Sequence, residues 1–140
     1  MRAYDLNKYL ADGELVEKTL ARLHKEGSLW VKEPVEYEIN GHLQKSDHNL
    51  RFVKDNISLG YLDWAIVGCY YASYHSALAL LMTKGYVSKN HLATLLILIK
   101  EFYDAGLDKD DFEMMVELLD YQDVLFYVEA KNKREDATYS

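Results

Sequence analysis

Residues 61–85 read YLDWAIVGCYYASYHSALALLMTKG, and the fold turns on this stretch. Leu62, Ile66, Cys69, Ser73, Ala77 and Leu80 recur at threes and fours, the spacing that brings side chains onto one face of an α-helix. Trp64, Tyr71, Leu78 and Met82 fall on other faces. The predicted helix over 61–84 is therefore apolar nearly all round and belongs in the middle of a bundle. Gly85 supplies its stop, because glycine takes the left-handed conformation without a steric penalty. Gly68, Ala72 and Ser76 stand at i, i+4 and i+8, a ridge of small side chains on which a second helix can approach closely.

Working outward, Leu43, Leu50, Val53 and Ile57 predict a helix between Gly41 and Gly60. The segment 28–40 holds the chain's one proline, Pro34, and reads as a connector. Its run Val35 to Ile39 alternates apolar and polar residues, which leaves a short strand open there. Nearer the start, Asp5 precedes Leu6, Leu10, Leu15, Leu20 and Leu23 and predicts one helix over 5–26, stopped by Gly27 and weakened by Gly13. Downstream, Ser88 is the expected N-cap of a helix over 89–104 ending near Gly106. Asp108 caps the last predicted helix, which runs to about 132. Asp110, Asp111 and Glu113 sit in its first turn and Lys131, Lys133 and Arg134 gather at its end, both matching the helix dipole. The linkers 85–87 and 105–107 are short, which predicts antiparallel neighbours. The sum is an all-α fold, an antiparallel up-and-down bundle of four to five helices, in one domain over 1–140.

Bulk properties narrow the function. A hydrophobic fraction of 49% over 140 residues suits a folded core, and a formal net charge of −7 argues against indiscriminate binding to a phosphate backbone. Lys131, Asn132, Lys133 and Arg134 form the one compact basic cluster. The single cysteine, Cys69, lies in an apolar run and reads as a small buried hydrophobe. No basic n-region followed by an apolar h-region opens the chain. Stretches 62–82 and 92–99 are interrupted by polar groups or too short for a bilayer. The expected location is cytoplasmic, with no membrane partner. No Gly-rich phosphate loop, Cys-x-x-Cys, His-Glu-x-x-His or Gly-x-Ser-x-Gly is present, so no cofactor and no metal is expected.

From His42 to Phe102 the sequence resembles the HEPN family, whose name marks its occurrence in higher eukaryotes and prokaryotes. Tyr70-Tyr71-Ala72-Ser73-Tyr74-His75-Ser76-Ala77-Leu78 is similar to the family's tyrosine pair followed by Ala, an aromatic, His and a run of Ala and Leu. Lys84-Gly85-Tyr86, then Lys89-Asn90-His91, continue the likeness, and Arg134 to Tyr139 resembles the Arg, Ala and Tyr of its final segment. The resemblance covers roughly 42–139 and leaves residues 1–40, the first helix and connector, outside it. It implies a bundle that is frequently a homodimer. Many members are ribonucleases of toxin–antitoxin or defence systems, and some pair with a small nucleotidyltransferase. Their cleavage motif is Arg, four to six residues, then His. Here Arg134 is followed at that distance by Tyr139, and a phenol with an ordinary pKa near ~10 does not carry protons at neutral pH as imidazole does. In the family a further helix usually follows this segment, whereas the sequence ends at Ser140.

The expected role is thus a non-catalytic accessory module that binds a partner, RNA or a nucleotide. The alternative is a metal-independent RNA endonuclease in which Arg134 stabilises the phosphate and Tyr139 or His91 carries the proton. Nucleotide- or RNA-contact candidates are His75, Lys84, Lys89, His91 and Arg134. For His75 the plainer reading is a hydrogen-bonded core histidine. His91, in a first helical turn near Lys84 and Lys89, could help form a small phosphate pocket or be a solvated helix start. His42 and His48 are expected at the surface. Tyr70, Tyr71 and Tyr74 make an aromatic band suited to an interface or to stacking bases.

Overall fold

The computed structural model describes residues 3–120. In chain order the elements are α1 (Ala3–Ala11), α2 (Gly13–Lys25), β1 (Leu29–Val31), α3 (Glu36–Ser58), α4 (Leu62–Thr83), β2 (Tyr86–Ser88) and α5 (His91–Phe102), followed by helical residues 109–120, here α6. The described residues form an all-α bundle with one two-stranded antiparallel ribbon.

The helix predicted over 5–26 is two helices. Asp12 breaks it: its backbone is extended and its carboxylate accepts the Leu15 N–H at 3.1 Å, making it the N-cap of α2. With Gly13 next, a new start is favoured over continuation. The strand lies at Leu29–Val31 rather than 35–39. Leu29 pairs with Ser88, Trp30 with Val87 and Val31 with Tyr86. α3 begins at Glu36, two residues after Pro34, so the connector is shorter than expected and the helix longer.

α3 and α4 form the antiparallel hairpin that the small-residue ridge predicts. A Cβ on Gly68 would lie 2.7 Å from Val53 Cγ2 and 2.9 Å from Phe52 Cδ1, so only glycine admits α3 this closely. One turn on, the Ser46 hydroxyl donates to the Ala72 carbonyl at 2.9 Å and lies 2.7 Å from the Ser76 hydroxyl. Gly60, at φ 81°, turns the chain between the two helices.

The link from α4 to α5 does not reverse the chain. β2 runs back beside α4, so α5 starts next to Tyr70 and Tyr74 and ends at Phe102, whose ring lies under the Lys84 ammonium. α5, not α4, is the central helix. Residues 93–99 are all buried, packed among Leu6, Val16, Leu20, Leu81 and Phe112. The first turn of α4 stands at the surface, with Leu62 61% and Trp64 50% exposed. α4 is also, among the described residues, the one helix long and apolar enough to cross a membrane; Gly68, Ala72, Ala77 and Leu81 are buried against its neighbours.

α5 is capped by Asn90, not Ser88. Asn90 Oδ1 accepts the Ala93 N–H at 2.9 Å, while Ser88 closes the strand and its hydroxyl donates to the Asn90 carbonyl. Asp108 does cap α6. It accepts the Asp111 N–H at 3.0 Å and Asp111 accepts the Asp108 N–H at 2.9 Å, a reciprocal capping box.

Candidate functional site

α4 and α5 meet in a cluster of rings. Tyr70, buried on α4, places its hydroxyl 2.7 Å from Nε2 of His91, the first residue of α5. This bond fixes the orientation of an otherwise exposed imidazole. Tyr74, one turn along, lies nearly parallel to Tyr70 at 5.9 Å between centroids and meets the His91 ring edge to face at 5.2 Å. Burial pushes the Tyr74 phenol above its ordinary pKa, so its hydroxyl stays protonated.

His91 borders two spaces. Beneath it, a cavity of about 30 Å³ lined by Tyr70, Ser73, Tyr74, Ala77 and Leu95 has room for no more than a water or two. Outside it, a groove of about 370 Å³ runs between α1, α5 and α6, bordered by Asp5, Tyr9, His91, Leu92, Leu119 and Asp120. That volume is in the range of small-ligand sites. The carboxylate of Asp5 repels phosphate and accepts hydrogen bonds from amino and hydroxyl groups. The groove therefore suits a nucleoside better than an isolated anion.

The candidates predicted from sequence are distributed unevenly. Tyr70, Tyr74 and His91 come together. Tyr70 is 6% exposed and turned inward, so it is no part of an outer interface, whereas Tyr71 is half-buried beside it. Lys84 stands away from His91. Its ammonium sits 5.5 Å from the centroid of Phe102, at the other end of a 12-residue helix about 17 Å long. Lys89 carries an exposed side chain close to His91 in sequence, and its N–H extends the ribbon by donating to the Ser28 carbonyl. Lys84 therefore does not join His91 in a phosphate pocket, one of the two readings open from the sequence, and Asn90 already takes one of the backbone donors an anion would use. Arg134, Tyr139 and the cluster Lys131 to Lys133 lie outside the described residues.

His75 is elsewhere, and so is His42, which is half-buried against α4 rather than fully exposed. Their Nδ1 atoms are 3.0 Å apart across the α3–α4 hairpin. The ring centroids are 5.3 Å apart and the planes differ by 26°. That separation exceeds the N···N distance by about two ring radii, so the rings meet edge to edge and share one proton. Burial holds both imidazoles below the ordinary histidine value. Lys45 adds to this for each, and His42 does so for His75, against a smaller opposing effect of Glu38 on His42. His48 and Asp47 are exposed and Cys69 is half-buried. No cluster of three or more His, Cys, Asp or Glu suited to a metal occurs among the described residues.

His91 is the one groove residue that the sequence singles out as a site; Asp5 reads there only as a helix start, and Tyr9 is not singled out. Tyr9 follows Asp5 by one helical turn, the one available signal that both lie on the same face.

A family model for the HEPN domain matches residues 39–140, most of the chain. Searches among curated proteins and among solved structures found no match.

Proposed function

The chain belongs to the HEPN domain family, and from that membership we propose that it is a nucleotide- or RNA-associated accessory module that binds a partner and does not itself cut RNA. The observation that carries this reading is the groove beside His91. An oriented imidazole, the ring of Tyr9 and the carboxylate of Asp5 line a space large enough for a nucleoside. Aromatic faces hold bases with little regard to sequence, and carboxylates accept from base amines and ribose hydroxyls. The absence of cutting is argued from the sequence, where Tyr139 stands in place of the histidine of the ribonuclease motif. The module works as a homodimer in the cytoplasm, and a nucleotidyltransferase-type protein within a toxin–antitoxin or defence system is the partner class that the family suggests.

Two measurements test this. Calorimetric titration with nucleosides and short RNA should give binding that weakens about tenfold in Tyr9→Ala and His91→Ala, the loss of one stacking or hydrogen-bonding contact. Labelled RNA incubated with the purified protein should stay intact. RNA cleavage that disappears in Arg134→Ala would replace this reading with the endonuclease.

A further inference from the structure

The ridge that lets α3 approach α4 also holds His42 opposite His75. One turn from His42, Ser46 donates to the Ala72 carbonyl at 2.9 Å and lies 2.7 Å from the Ser76 hydroxyl, which fixes the register of the two helices. In that register the two Nδ1 atoms are 3.0 Å apart and the ring centroids 5.3 Å apart. Two imidazoles on one tetrahedral metal ion, with metal–nitrogen bonds of about 2.0–2.1 Å, have centroids about 5.2 Å apart and nitrogens about 3.3 Å apart. The centroids already stand where an ion needs them. Each ring has only to turn by roughly 35° to aim its lone pair at a common point, and the outer torsion of a histidine side chain is soft.

We propose that His42 and His75 bind a divalent transition-metal ion of the zinc, copper and nickel class through both Nδ1 atoms, clamping α3 to α4. Imidazole suits these ions, and the neutral form that ligates is the main form of an ordinary histidine at pH 7.5. One ring must change tautomer. The hydrogen shared between the Nδ1 atoms moves to Nε2 of the ring that carries it, and both lone pairs then go to the ion with no net release of protons. Glu38, one turn before His42, brings negative charge, but its two oxygens hold Lys32 Nζ at 2.7 and 2.8 Å, so it is not a third ligand. Lys45 lies close enough to oppose positive charge at both rings and weakens the hold on a cation. Water completes the coordination, from a groove of about 620 Å³ that His42 borders with Tyr37, Glu38, Gln44 and Lys45. The site is therefore open and exchangeable, unlike the closed four-ligand zinc sites that hold small folds together. With half their ligands it should have about the square root of their affinity, a Kd on the order of 10 μM. The inference goes beyond the nucleoside reading and does not rest on it, since Tyr9 and His91 take no part.

Zinc chloride titrated calorimetrically into the full chain, first stripped of metal by a chelator, should bind with that affinity. His42→Gln and His75→Gln should each weaken it about tenfold or more, with helicity retained by circular dichroism, whereas His24→Gln and His48→Gln should leave it unchanged. A second measurement needs no variant. In the unaltered chain, ¹⁵N NMR of the histidine rings should show zinc moving the Nδ1 signals of His42 and His75 together. No binding up to about 1 mM zinc overturns the proposal, as does binding that persists in both His42→Gln and His75→Gln. Ring shifts confined to His24, His48 or His91 overturn it as well, by assigning the ion to a surface imidazole.

Discussion

His42 on α3 and His75 on α4 bind each other through their Nδ1 atoms at 3.0 Å, so one must donate the proton that the other accepts. The two rings then carry opposite tautomers, and a second proton at this contact abolishes the bond.

This pair makes the hairpin acid-sensitive. Both imidazoles titrate below the ordinary histidine value in the folded chain. On lowering the pH through about 6.5, the unfolded chain takes up protons before the folded one does, and stability falls. The contribution is fully present above that pH and is lost as the folded values are passed. Melting temperature measured at pH 7.5 and 5.5 should drop in the parent and drop less in His75→Gln. An unchanged pH dependence in that variant would remove the pair from the account.

Gly68 sets how closely α3 approaches. Gly68→Ala gains about 1 kcal/mol in helix propensity but drives a methyl to within 2.7 Å of Val53 Cγ2. Overpacking of this kind costs about 1–3 kcal/mol, so urea unfolding should show a net loss. Adding Val53→Ala should recover part of it, because the clashing methyl is gone. A Gly68→Ala protein as stable as its parent would mean that the hairpin opens without strain.

This ridge was legible in the sequence because small residues at i, i+4 and i+8 have few other uses. Gly60, Gly85 and Asp108 were legible for the same reason: each has a backbone or capping role that few residues fill. Other features left a weaker trace. The strands Leu29–Val31 and Tyr86–Ser88 are three residues each, too short for alternation to register. The His42–His75 contact joins residues 33 apart that no local period connects. The central place of α5 leaves no periodic trace, since seven buried residues in a row from 93 to 99 present no single apolar face.

The cap of α5 offers a local check. Asn90→Ala removes the acceptor of the Ala93 N–H and should cost about 1 kcal/mol by denaturant titration. Because His91 immediately follows, nucleoside binding should weaken in step with the fraying of this turn. Unaltered stability would argue that the Ser88 and Thr94 hydroxyls cap the helix unaided.

Tyr70→Phe separates orientation from contact. It deletes the hydroxyl 2.7 Å from His91 Nε2 while keeping the buried ring. Loss of this bond should cost about 1 kcal/mol of stability and weaken nucleoside binding less than His91→Ala does. Equal losses in both variants would assign the effect to misfolding of the ring cluster.

The region matched by the family model starts at residue 39, but the shell around α5 does not. Leu6, Val16, Leu20, Leu23 and Leu29 come from upstream and seal one flank of the most buried helix, and β1 clasps the strand that leads into it. A recombinant fragment trimmed to the family boundary would therefore bare the apolar centre of the molecule, and it should express as aggregate while the 140-residue chain stays dispersed.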